Sequence, residues 1–123
     1  MSFISIALGG GLGSVLRYLI STVPYKGSFP VPTLLTNLCG AVLIGIIAGL
    51  AAKHNWPPNL VLFFKTGVCG GFTTFSTFSL EAMQLLQGGH AVQAFLYMLL
   101  SVGLCLIGVY VGMAVIGTVS AAA

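Results

Sequence analysis

Apolar residues fill four long runs of this chain, and polar or turn-forming residues collect between them. The runs cover about residues 3–22, 33–52, 60–86 and 92–118. Each supplies the ~20 residues that a helix needs to cross a ~30 Å hydrocarbon core, and the third and fourth are long enough to tilt. Pro24 to Pro32, with Lys26, Gly27 and Ser28, reads as the first loop. Lys53 to Asn59, with Pro57 and Pro58, forms the second, and Gln87-Gly88-Gly89-His90 ends the third run. The pattern predicts an all-α membrane protein: a single four-helix transmembrane domain over 1–123, with both chain ends on one side. Glycines recur at G-x-x-x-G spacing inside the runs (Gly9 and Gly13, Gly45 and Gly49, Gly108 and Gly112). Small residues so placed let helices approach closely.

The third run contains an anomaly. From Val68 to Ser79 it reads Val-Cys-Gly-Gly-Phe-Thr-Thr-Phe-Ser-Thr-Phe-Ser, with two adjacent glycines and five hydroxyl residues. Gly costs roughly 1 kcal/mol against Ala inside a helix, and Ser and Thr offer the backbone competing bonds. A helix broken at mid-membrane is expected, at the Gly-Gly pair. Broken backbone at that depth is tolerated only where protein buries it or a wet cavity lines it. The stretch is therefore the candidate functional centre.

Composition fits a membrane solvent. Of 123 residues, 58% are hydrophobic and 4% charged, with a mean hydropathy of +1.11. Soluble domains carry about 25% charged residues. The net charge of +3 rests on four scattered cations and Glu81, too few for a nucleic-acid footprint. No basic leader precedes the first run, so no signal peptide is expected. Cys39, Cys69 and Cys105 lie in apolar runs without C-x-x-C spacing and read as small buried hydrophobes. Lys26 and Arg17 mark one membrane face, Lys53 and Lys65 the other. Two cations against two give no preferred direction under the positive-inside rule. Insertion in both orientations, and an antiparallel homodimer, are the expectation.

Other polar groups mark a possible path. Thr33 and Asn37 share a helical face in the second run. Arg17 and Glu81 lie toward one leaflet, either paired across helices or part of a permeation pathway. Tyr97, Ser101 and Cys105 recur at i, i+4 and i+8, a stripe that also fits ordinary interhelical hydrogen bonding. Amide and hydroxyl hydrogens can replace part of an anion's hydration shell without trapping it. Phe75 and Phe78 share a face, either as core or as ring edges whose positive rim favours a small anion. Carbonyls freed between Gly70 and Thr73 could instead hold a cation.

Gly70-Gly71-Phe72-Thr73-Thr74-Phe75-Ser76-Thr77-Phe78-Ser79 resembles the signature of the Fluc/CrcB fluoride channels. The resemblance covers nearly the whole chain, including Arg17-Tyr18, Thr33-x-x-x-Asn37, Glu81 and the Tyr97 stripe. It implies a passive, fluoride-selective channel that exports fluoride from the cytoplasm and confers fluoride resistance. The implied assembly is an antiparallel dual-topology homodimer with two pores, multi-pass in a prokaryotic inner membrane. Its implied partners are fluoride, a second copy and membrane lipid, with no nucleic acid. It further implies a structural sodium ion held by backbone carbonyls matching Gly70 and Thr73. Phe75 and Phe78 would line the pores, Asn37 and Thr77 would lie on the fluoride pathway, and Thr33, Tyr97 and Ser101 would continue it. Arg17 and Glu81 would be structural or vestibule groups. Two positions depart from the family pattern: Pro32 stands where Gly is frequent, and Cys105, a weaker donor, where Ser is frequent.

Two other classes compete. A small dual-topology multidrug exporter would want an acid in the first span, which has none, and the sole acid is Glu81. An accessory membrane scaffold subunit would account for the glycine pairs but not for the polar break. No phosphate-binding loop or acidic pair points to a pump or an enzyme.

Overall fold

The computed structural model describes residues 1–119, and the last four residues of the domain expected over 1–123 lie outside them. Among the described residues every regular element is helical. Three helices are long and apolar enough to cross a membrane: α1 (Ser2–Ser21), α2 (Val31–His54) and α6 (Ala91–Ile116). Between α2 and α6 the chain forms α3 (Pro58–Val61), a π-helical stretch (Leu62–Cys69), α4 (Gly70–Phe72) and α5 (Phe75–Gln87). The expected boundaries move by a few residues for local reasons. Pro32 falls in the first turn of α2, where its missing N–H has no intrahelical acceptor to lose, so the helix starts at Val31. Asn55 ends α2 in the left-handed conformation at φ 51°, and Gly117 ends α6 at φ 81°.

Small residues decide which helices touch. α2 packs along α6, and α1 packs along the π-helical stretch and α4. A β-carbon on Gly13 would stand 2.8 Å from the Phe72 nitrogen, and one on Gly112 would stand 2.9 Å from the Ile46 nitrogen. Backbone therefore meets backbone at both seams, the contact that membrane helices use in place of a hydrophobic drive. A third cluster is built from side chains. Leu34, Ala82, Leu85, Ala94 and Tyr97 are buried together, with Phe29, Phe78 and Met98 against them. Elsewhere large apolar side chains face outward, among them Phe3, Leu8, Leu19, Leu99 and Val115. Such a surface suits lipid rather than water.

The break is real but falls two residues beyond its expected place. Gly70 and Gly71 are helical, and the chain turns extended at Thr73 (φ −84°, ψ 156°) and Thr74 (φ −147°, ψ 120°). The Thr73 N–H still reaches the Cys69 carbonyl at 3.0 Å, closing the last helical turn. Gly71 is needed for proximity: a β-carbon there would collide with the Gly10 carbonyl of α1. Gly71 thus belongs to a packing seam, and the threonines make the break.

Candidate functional site

Two threonines can leave the helix because α2 supplies replacement partners. The Asn37 side-chain oxygen accepts from the Thr74 N–H at 2.8 Å, and its Nδ2 donates to the Thr74 carbonyl at 3.1 Å. The side-chain amide pairs with the Thr74 backbone as a neighbouring strand would. Thr74 then restarts the helix, its Oγ1 accepting from the Thr77 N–H at 3.1 Å as an N-cap.

This splice separates the carbonyls of residues 70–73 from their helical donors. In a continuous helix the Thr74 N–H would return to the Gly70 carbonyl and the Thr77 N–H to that of Thr73. Asn37 takes the first and Thr74 Oγ1 the second. The Gly71 carbonyl accepts instead from Arg17 Nε at 3.0 Å. Within the chain Arg17 and Glu81 are not bonded to each other; the expected pairing, within or between subunits, is left open between copies. Glu81 accepts from the Tyr97 hydroxyl at 3.2 Å. The nearby Gly71 carbonyl meets Arg17 first, because the same glycine seam brings α1 against the break.

A cleft of about 400 Å³ opens beside the break, between α2, the broken span and α6. Asn37, Gly70, Thr73, Phe75, Phe78 and Ser101 line it, six of the positions singled out from the sequence. Cys105 lines it too. Ser101 is buried and its Oγ has no hydrogen-bond partner. Phe75 is 79% exposed on the cleft wall, and its ring centroid lies 5.6 Å from that of Phe78. Phe78 in turn rests on Tyr97 at 5.0 Å.

The remaining expected residues are separated from this cleft. Thr33, Thr77 and Arg17 line a smaller pocket of about 70 Å³, and Thr74 borders both spaces. Tyr97 is fully buried behind Phe78, with its hydroxyl committed to Glu81. The polar positions expected to form one track are therefore divided within a single chain.

Two polar lining residues were not singled out from the sequence as site residues. Thr74 holds the break together, and the capping pattern of a Thr ahead of a helical run was the available signal. Lys65, used above only as a topological charge, stands on the cleft wall. An ionisable group inside an apolar run was reason enough to place it there.

Fold and site together define a small multi-pass membrane protein with a largely apolar cleft, carrying a few polar groups, built on a broken helix. The chain belongs to the family described as "CrcB-like protein, Camphor Resistance (CrcB)", which it matches over residues 4–113. It is similar to a protein of Flavobacterium psychrophilum, 51% identical over 112 residues that cover 88% of this chain and 90% of the relative. A Methylobacterium protein is 46% identical over 114 residues, covering 90% and 92%. A protein of Azobacteroides pseudotrichonymphae is 46% identical over 101 residues, covering 79% and 81%. All three relatives carry the name "Fluoride-specific ion channel FluC".

Proposed function

We propose that this protein is a passive fluoride-selective channel of the inner membrane, carrying fluoride out of the cytoplasm. The observation that carries the reading is the cleft at the break, where a buried, unpartnered Ser101 hydroxyl faces the same space as Asn37 and two phenylalanine rings. Fluoride is small and strongly hydrated, so a path must return donors while binding weakly enough to release. Asn37 Nδ2 has two hydrogens and spends one on Thr74, leaving one donor for an anion. Flow follows the inside-negative potential, with no bond made or broken by the protein.

The active unit in this reading is an antiparallel, dual-topology dimer with four spans per chain and two pores. An exposed Phe75 and a cleft open on one side both want a cover, and a second copy in the opposite orientation supplies one. Balanced cations on the two faces favour that arrangement. A sodium ion on the two-fold axis would take the Gly70 and Thr73 carbonyls of both copies. Both carbonyls lose their helical donors at the break, and a β-carbon on Gly70 would meet nothing nearer than 4.0 Å within the chain. Hard cations take such oxygen ligands.

Purified protein in liposomes tests the reading directly. With valinomycin and potassium carrying the counter-current, fluoride should leave quickly and chloride negligibly, measured with ion-selective electrodes. Silence for fluoride sinks the channel. Exchange of all sodium for a large organic cation during reassembly should lower activity; full activity would remove the structural ion.

A further inference from the structure

Four cationic side chains serve this protein, and the structure gives two of them clear tasks. Arg17 Nε donates to the Gly71 carbonyl at 3.0 Å, and Lys53 Nζ donates to the Ile116 carbonyl at 3.2 Å, at the end of α6. Lys26 lies in the first loop. Lys65 is different. It sits in the π-helical stretch, and it lines the cleft on the same wall as Cys69, Gly70 and Thr73. No carboxylate lines that cleft. The chain's one acidic side chain, Glu81, accepts from Tyr97. An ammonium without a carboxylate therefore stands on a largely apolar wall that also carries the unpartnered Ser101 hydroxyl.

We propose that Lys65 is the electrostatic attractor of this cleft, raising the local concentration of the transported anion at its mouth. The inference rests on the fluoride reading above and adds a residue to it. Lys65 precedes Thr73 by eight positions, which places its backbone about 12 Å away along the helix axis. A cation in contact with fluoride in a dry passage would hold it; one removed along the wall attracts without trapping. The π-helical winding contributes by turning Lys65, Cys69 and Gly70 toward one space, a use of such stretches that recurs at functional sites.

The test compares wild type, Lys65→Gln and Lys65→Arg in liposomes, at sub-saturating fluoride. Ionic strength is set with potassium gluconate at ~10 mM and ~1 M, where the Debye length falls from about 30 Å to about 3 Å. At low salt Lys65→Gln should lower initial fluoride efflux at least ~3-fold, while Lys65→Arg stays close to wild type. At high salt the gap between wild type and Lys65→Gln should close. A Lys65→Gln channel as fast as wild type at low salt overturns the proposal. So does a deficit of equal size at both salts, which would mark a packing defect. Wild type supplies an independent check, because its own efflux must slow as gluconate rises; a flat response overturns the proposal even if no variant folds. A wild type that moves no fluoride overturns the channel reading, and this inference falls with it.

Discussion

The two halves of the broken span are held by opposite means. The half before the break, through the π-helical stretch and α4, lies against α1 with backbone touching backbone at Gly9, Gly13, Gly67 and Gly71. The half after it, α5, is held by side chains: Phe78, Ala82 and Leu85 against Tyr97 and Ala94 of α6. A backbone seam has no rotamers to adjust, so it fixes where carbonyls point to within a few tenths of an ångström. A side-chain seam can repack with little change in volume. The carbonyls at Gly70 and Gly71 sit on the rigid half, and the rings at Phe75 and Phe78 on the adaptable half. Fixed carbonyls and adjustable rings thus face each other across one break.

Substitutions that thicken the rigid seam should have the largest effect. Gly13→Leu would force α1 away from Val68 and Phe72, overpacking that costs roughly 3 kcal/mol or more where backbone must move. The expected outcome is little or no monodisperse protein in detergent, read by size-exclusion chromatography. A normal elution profile with wild-type fluoride flux would erase the distinction between the halves.

Asn37→Ala addresses the junction itself. It leaves the Thr74 N–H and carbonyl without partners, on the order of 2–4 kcal/mol for two unsatisfied groups. Fluoride efflux should fall at least ~10-fold, with thermal unfolding shifted downward. Loss of flux with unchanged stability would assign Asn37 to the path and not to the splice. The smallest effect is expected on the adaptable side. Tyr97→Phe removes the hydroxyl bond to Glu81 while keeping the ring against Phe78, roughly 1 kcal/mol. Flux should stay within ~3-fold of wild type, and a collapse would put the hydroxyl directly on the path.

The apolar runs and the glycine pairs were legible because membrane span length and close packing are written in local spacing. The site was legible in outline: six of the expected residues do meet in one cleft. The place of the break was not. Gly70-Gly71 looked like the weak point on intrinsic propensity, yet both stay helical, and the missing side chain of Gly71 answers to Gly10 on another helix. Thr73 and Thr74 break because Asn37, far away in sequence, offers the missing bonds. Helix propensity is a local quantity and cannot see such a partner. Depth was not legible either. Spacing by four placed Tyr97 and Ser101 on one face, but the ring of Phe78 covers Tyr97, whose hydroxyl bonds Glu81 across helices as the plainer reading of the stripe allowed. The Gly71 carbonyl that Arg17 meets was invisible too, since a list of side chains contains no backbone acceptors.

The Asn37 splice makes the break a property of two helices. Without Asn37, an opened Thr74 inside lipid would expose two backbone groups at several kcal/mol each. The open conformation is therefore tenable only with α2 alongside, and Asn37 stands 37 residues ahead of the backbone it satisfies. The opening at the heart of the molecule is thus owned by a helix other than the one it interrupts.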